Sequence, residues 1–373
     1  MPEFDVAIIG GGIVGLANAW MASRCNLSVA VFERDRVASG ASVRNFGMVW
    51  PVGQPGELSE LAMQSREFWL ELQHKANLWV NPCGSLHLAH HQDEQAVLEE
   101  FVQQEGKQRE IELIPASAIE KHSPAANPEG LLVGMFSPHE LCVNPAVAIS
   151  QISHWLEETA SVSFFRNTAV TRVDDGTIKT GAGEKHQAER IVVCSGSDFE
   201  TLFPTHFAAA GLRKCKLQML ATPKQPNEWA LGPHLAGGLT LRHYKSFESC
   251  PTHTALKNRI ANESPLLDEF GIHVMASQNN NGEVILGDSH VYDDDISPFD
   301  SAEIDRLILE ELDKLIRLPD FSIERRWHGI YAKHPTRHVL VADPEPNCKI
   351  VTATGGAGMT LSFGLAEQIW KHW

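Results

Sequence analysis

A glycine-rich turn between two apolar strands constrains this chain more than any other feature. Phe4-Asp5-Val6-Ala7-Ile8-Ile9 runs into Gly10-Gly11-Gly12-Ile13-Val14-Gly15, a helical run continues to about Arg24, and Ser28-Val29-Ala30-Val31-Phe32 ends on Glu33-Arg34. Val6 to Ile9 carry no charge, as in a parallel strand buried on both faces. Gly10, Gly12 and Gly15 have the GxGxxG spacing. The first permits the tight turn, the second lets backbone approach a pyrophosphate, and the third lets the helix pack close to the sheet. The helix opens at Ile13 and Val14, so its first amides and its dipole face that pyrophosphate. Glu33, at the end of the second strand, is placed to accept hydrogen bonds from a ribose. A turn that binds nothing has no need for glycines, helix and acid to coincide. The stretch predicts a dinucleotide site, and the motif by itself admits either FAD or NAD.

The 373 residues suit two domains or one interleaved pair. Hydrophobic residues make up 43% and charged residues 21%, an ordinary globular balance. Lys plus Arg number 31 against 47 Asp plus Glu, a net charge of −16, and no basic stripe interrupts it. Nucleic acid is therefore not an expected partner. The seven cysteines form no CxxC pair and read as reduced thiols rather than a disulfide or zinc framework. No leader pattern and no apolar run of membrane-spanning length is visible, so a cytoplasmic protein is expected. The histidines show no HExxH and no ligand-like spacing, and no metal is expected.

Beyond Glu33 the chain turns to loop chemistry, Gly40-Ala41-Ser42-Val43-Arg44-Asn45-Phe46-Gly47. Together with the opening motif, Gly40-x-Ser42-x-Arg44-Asn45-x-Gly47 resembles the D-amino-acid oxidase family of flavoproteins, which includes glycine and sarcosine oxidases. The resemblance implies FAD, with this loop along its pyrophosphate and ribityl chain; local turn capping is the other reading of Ser42 and Asn45. Further family-like motifs lie along the chain. Asn144-Pro145 opens a helix with an Asn cap and Pro in its first turn. The backbone near Val170 is expected at the adenine. The strand Arg190–Val193 ends in Cys194-Ser195-Gly196, expected beneath the FAD, and Gly355-Gly356-Ala357-Gly358-Met359-Thr360 forms a second glycine-rich entry to a helix. That helix end is suited to negative charge on the reduced flavin. No cysteine lies in 327–337, where one type of covalent flavin attachment would need it, so FAD is expected to be non-covalent.

The fold class expected is α/β plus α+β: a Rossmann-like FAD domain from residues 1–80, 144–210 and 320–373, interleaved with a substrate domain from 81–143 and 211–319 on a mostly antiparallel sheet. In the latter, Leu239–Phe247 alternates with period two, placing Thr240, Arg242, Tyr244 and Ser246 on one face. Arg242 beside Tyr244 makes a receptor for an anionic group, unless the face is merely solvated. Asn280-Asn281-Gly282 reads as a hairpin turn, and Asp300 with Glu303 as a capping box for the following helix. Trp327–His338 concentrates cations in an acidic chain, and Lys333, His334 and Arg337 are further candidates for an anionic substrate.

The reaction the resemblance implies is oxidation of a C–N bond, with hydride passing to the flavin and the imine hydrolysing. No dedicated acid–base residue is expected, since the cofactor carries the hard step. The wording of Arg242–Phe247 and of Gly287-Asp288-Ser289-His290 resembles a subgroup associated with phosphonate breakdown, which implies an aminophosphonate such as N-methyl-2-aminoethylphosphonate. The alternatives are a glycine, sarcosine or D-amino-acid oxidase, an FAD domain acting on tRNA, and a subunit that needs a partner chain. Oxygen or another acceptor would reoxidise the flavin.

Overall fold

The protein is described by a computed structural model covering residues 3–160 and 162–373. Its first strand, Phe4–Ile9, lies between parallel neighbours Val29–Phe32 and Lys185–Val193, with Val6, Ala7 and Ile8 fully buried. Each buried branched side chain there contributes about 1.5–3 kcal/mol. The same sheet extends through Val162–Phe165 on one side, and through Cys348–Thr352 and Leu340–Glu345 on the other. The hairpin Val170–Asp174 and Thr177–Thr180 joins the far end of Lys185–Val193. The helix Ile13–Arg24 packs on this sheet and against the C-terminal helix Gly358–Lys371, where Trp370 Nε1 donates to the buried Asn18 Oδ1 at 3.1 Å. Among the described residues no helix is long and apolar enough to cross a membrane.

A second, nine-stranded sheet carries a separate core. Among the described residues its pairings are antiparallel except for His234–Gly237 beside Ser85–Ala89. Its long strand Arg213–Lys224 pairs with Arg325–Lys333 from Arg213 to Ala221. Residues 320–373 therefore do not join the first sheet as one piece. Arg325–Lys333 belongs to the second sheet, and the chain crosses over between Lys333 and Leu340. A small three-stranded sheet of Met48–Val49, Leu141–Val143 and Val80–Asn81 lies at the other crossings.

Several local expectations match: the Asn-Gly hairpin joins Met275–Gln278 to Glu283–Gly287, and Pro145 opens the helix Pro145–Thr159. The Asn144 side chain, however, bonds Asn280 Oδ1 rather than capping its own helix. The cap of Ala302–Leu315 is Ser301, not Asp300; Asp300 is instead paired with Lys216 and His328.

The stretch 239–247 is not a strand. It forms two tight helical turns, Gly238–Arg242 and Lys245–Phe247, closed by His243 N–H to Thr240 O and Phe247 N–H to Tyr244 O. Thr240 and Arg242 find interior carbonyls instead of water, while Tyr244 reaches Met275 Sδ and Ser246 Oγ is buried without a partner among the described residues. Thr240 Oγ1 donates to Val274 O, and the buried Arg242 guanidinium donates to Leu267 O at 2.7 Å, to Ile272 O at 2.8 Å and to Asp268 at 3.3 Å. A period-two pattern survives in a turn whose polar residues Thr240, Arg242 and Ser246 are buried, and alternation alone cannot tell the two apart. Arg242 is thus a structural clamp on the end of the short helix Pro265–Glu269. Arg242→Ala is expected to lower unfolding free energy by about 2–4 kcal/mol, read by urea denaturation of the flavin-loaded protein. An unchanged midpoint would contradict the clamp.

Candidate active site

A crevice of about 340 Å³ opens at the head of the Ile13–Arg24 helix. Gly10 holds φ +106°, and a Cβ there would stand 2.3 Å from the Cys194 carbonyl. A Cβ on Gly12 would meet Ser42 Oγ at 2.9 Å, on the side where the crevice lies. Ser42 Oγ accepts from Ile13 N–H at 3.0 Å, and Glu33 accepts from Gly11 N–H at 2.7 Å and from Asp35 N–H at 3.0 Å. The acid therefore braces the glycine turn while lining the crevice. At the opposite end, Gly356 has φ +85°, and the helix Gly358–Lys371 starts with no side-chain cap, leaving its first amides to a ligand.

A second cavity of about 200 Å³ continues from the first. Asn45, Leu217, Tyr331, Thr354, Gly356 and Met359 line both. At its mouth stand Lys245, Lys333 and Arg337, none with a carboxylate within 4.0 Å among the described residues. Lys333 is half-buried; burial lowers its pKa, and its Nζ donates to Tyr292 Oη at 3.1 Å. Deeper in the same cavity lie His243, His273, His290 and Asp288. The three rings stack within 4.4–5.1 Å between centroids, and one ring nitrogen from each lies within 4.8 Å of the others. Desolvation by close packing depresses the His243 pKa well below the ordinary value, with His273, His290, Arg242 and Lys333 adding to it. Desolvation also brings His290 down to about 4.

The expectation of no histidine cluster is thus corrected. The three residues come from three separate segments, and only folding brings them together. The trio nevertheless lacks a third metal ligand. Arg242 Nε donates to His243 Nε2 at 3.1 Å, which occupies that lone pair and leaves the hydrogen of the neutral ring on Nδ1.

A family model described as DAO, FAD dependent oxidoreductase, matches residues 5–370. The chain belongs to this family. It is 24% identical over 256 residues to one of the subunits of opine oxidase from Rhizobium meliloti, covering 64% of this chain and 68% of that protein. It is 25% identical over 206 residues to glycine oxidase of Bacillus licheniformis, covering 52% of this chain and 54% of that enzyme, about half its length. The solved glycine oxidase of Bacillus cereus superposes with a TM-score of 0.78 at 18% identity, covering 99% of this chain and 94% of that one, which shows a shared fold.

As a DAO-family enzyme the protein is an FAD-dependent oxidoreductase, and the crevice fits that cofactor. Gly10, Gly12, Ile13, Val14, Glu33 and Arg34 line it from the first motif, Ser42, Arg44 and Asn45 from the loop, and Val170 from the hairpin. Cys194, Ser195 and Gly196 line its floor, with Gly356, Gly358 and Met359 at the far end. Gly15, Gly47 and Thr360 stand outside it. Gly15 packs on Gly10 O, Gly47 packs on Val143 O, and Thr360 Oγ1 accepts from Trp50 N–H while its residue borders the second cavity. Asn45 spends its amide on Ala41 O, Ser42 O and Gly47 N–H, so its side chain secures the loop. Arg34 pairs with Asp198 at 3.0 Å.

Of the residues expected at the substrate, Tyr244, Lys333, His334 and Arg337 line the second cavity and Arg242 does not. His334 Nδ1 is occupied by the amides of Thr336 and Arg337, so it shapes the turn carrying Arg337. Lys245, His243, His273, Asp288, His290, Tyr292 and Tyr331 also line the cavity without having been expected at the substrate, although His243, Lys245, Asp288 and His290 lie in the two subgroup-like stretches. Gly12→Val is expected to yield a folded but colourless protein. The check is far-UV circular dichroism beside visible absorbance after incubation with FAD, and retention of the flavin band would contradict the assignment.

Proposed function

We propose that the enzyme oxidises the C–N bond of a small amine that carries a phosphonate, yielding an imine that hydrolyses to an aldehyde and a free amine. N-methyl-2-aminoethylphosphonate is the substrate named by this reading. The observation that carries it is the cluster Lys245, Lys333 and Arg337 on the cavity that adjoins the flavin crevice, in a chain of net charge −16. A dianionic phosphonate uses several cations at once, whereas one planar carboxylate is served by a single Arg fork. Bound FAD supplies the hydride acceptor. The protein's part is to hold the anion at the mouth, bring the carbon next to nitrogen to the shared wall of the two cavities, and exclude water. Tyr244 narrows the cavity: its ring packs on Gly53, where a Cβ would stand 2.5 Å away, and its hydroxyl reaches Met275 Sδ at 3.7 Å.

A second reading places a carboxylate amine, such as glycine, sarcosine or a D-amino acid, in the same cavity, and the relatives bearing glycine oxidase and opine oxidase names favour it. Anaerobic titration of the yellow protein separates them. The phosphonate should bleach the flavin at low concentration and the amino acids poorly; the reverse order selects the second reading. Lys333→Met is expected to raise the half-saturating phosphonate concentration roughly 10- to 100-fold, the equivalent of one charged hydrogen bond.

FAD is proposed to be held without a covalent bond. Cys194, the cysteine on the crevice floor, is buried in apolar surroundings that push its thiol pKa up, so the thiolate needed for attachment does not form. Acid precipitation is expected to leave all yellow colour in the supernatant; a yellow pellet would overturn this.

A further inference from the structure

The inner end of the second cavity holds acceptors that lack a donor among the described residues. His273 and Asp288 are locked side by side by a reciprocal backbone pair, His273 N–H to Asp288 O at 3.1 Å and Asp288 N–H to His273 O at 2.7 Å. Their side chains lie together, with His273 Nε2 at 2.9 Å from Asp288 Oδ1, and both residues are buried. Two lone pairs do not rest at that separation, so in the neutral ring the hydrogen sits on Nε2 and Nδ1 carries the lone pair. Neither His273 Nδ1 nor Asp288 Oδ1 has an aligned hydrogen-bond partner. Leaving a buried acceptor unpaired costs about 1–3 kcal/mol, so such a pair facing a cavity is suited to a donor that arrives with the ligand. His290 donates from Nδ1 to Gly271 O at 3.3 Å, which leaves its own Nε2 as an acceptor. An ammonium group carries the hydrogens this end lacks, and the cations at the mouth hold the opposite end of the same molecule.

Resting on the amine-oxidation reading above, we propose that His273, oriented by Asp288, accepts the proton from the substrate's ammonium group and so delivers the neutral amine for oxidation. The N–H bond of the ammonium breaks, its electron pair stays on the substrate nitrogen, and the proton joins His273 Nδ1. The imidazolium so formed faces the Asp288 carboxylate, and no other reactant is consumed. Hydride loss from the adjacent carbon needs that nitrogen lone pair. The charged and titratable groups facing His273 are Asp288 and His290 from the segment after Glu283–Gly287, His243 and Tyr244 from the turns after His234–Gly237, and Lys333 at the end of Arg325–Lys333. Asp288 is the one anion among them, and it touches the ring that takes the proton. His243, tied to Arg242, points a hydrogen rather than a lone pair and is not the acceptor.

The test has two arms. In the first, histidine imidazoles are labelled with ¹⁵N in the FAD-loaded protein and observed as 2-amino-2-methylpropylphosphonate is added. This amine has no hydrogen on the carbon next to nitrogen and is not oxidised. His273 should show the Nε2–H tautomer at rest, and its Nδ1 signal should shift with the amine but not with propylphosphonate, which lacks it. The opposite tautomer, or an Nδ1 signal indifferent to the bound amine, overturns the proposal. His273→Gln assigns the signal; should that variant not fold, the Nε2 signal that moves in Asp288→Asn, whose side chain lies 2.9 Å from it, assigns the ring. In the second arm, flavin reduction is followed anaerobically in a single turnover. His273→Gln should slow it about 10²- to 10⁴-fold near neutral pH. The deficit should shrink about tenfold per pH unit toward the amine's own pKa, where substrate arrives already neutral. A deficit constant with pH overturns the proton-accepting role. Asp288→Asn should show a smaller deficit with the same pH trend. If the phosphonate does not bind but α-aminoisobutyrate does, the substrate reading falls and the same measurement on the carboxylate decides His273. Binding of neither overturns both.

Discussion

Backbone lies against backbone at the head of the first helix, and the crevice proposed for the flavin depends on that contact. The Cys194 carbonyl sits where a side chain on Gly10 would be, and the Gly10 carbonyl sits 1.9 Å from where a Cβ on Gly15 would be. These approaches draw the ends of Phe4–Ile9 and Lys185–Val193 and the start of Ile13–Arg24 to one point. Glu33 ties the third party, Val29–Phe32, to the same point through the Gly11 amide. The crevice floor is therefore set by main chain rather than by rotatable side chains, so little of it needs to be ordered when a cofactor binds.

The second sheet meets this floor through Arg325–Lys333. That strand pairs with the second sheet, while its Gly329, Ile330, Tyr331 and Ala332 line the crevice of the first. A Cβ on Gly329 would stand 3.2 Å from the Arg44 carbonyl, and Arg44 in turn bonds back to the strand through His328 O and Trp327 Nε1. Since Tyr331 and Lys333 lie two residues apart on one strand, they share a face, and one rigid element registers the cation against the wall common to the two cavities.

Legibility in the sequence follows the range of the interaction. The first motif is readable because its demands are local: a turn, a helix start and an acid within one unit. A crossover at residue 320 is too early, because nothing local distinguishes a strand of one sheet from a strand of the other. Arg242 misleads for a related reason. Its neighbours alternate as in a strand, and only the distant carbonyls of Leu267 and Ile272 show where the guanidinium goes. The cations are visible as composition, yet it takes the fold to show that Lys245 and Arg337 reach one mouth from separate segments. The histidine stack has no spacing signal at all; His243, His273 and His290 come from separate segments whose rings meet beside Tyr244.

Charge arrangement within the second cavity narrows its chemistry further. Lys245, Lys333 and Arg337 at the mouth repel a bare cation. An isolated carboxylate or phosphonate is drawn to the mouth but meets unpaired acceptors, Asp288 among them, at the inner end. A neutral amine satisfies the acceptors and gains nothing at the mouth. The proposed substrate, with an anion and an amine a few bonds apart, would satisfy both ends, whereas each misfit would leave a buried polar group unpaired. Discrimination of this kind is a matter of polarity and length more than of shape. Neutral histidines are compatible with it: desolvation lowers the pKa of His290 and His243, so they add no positive charge beside Asp288.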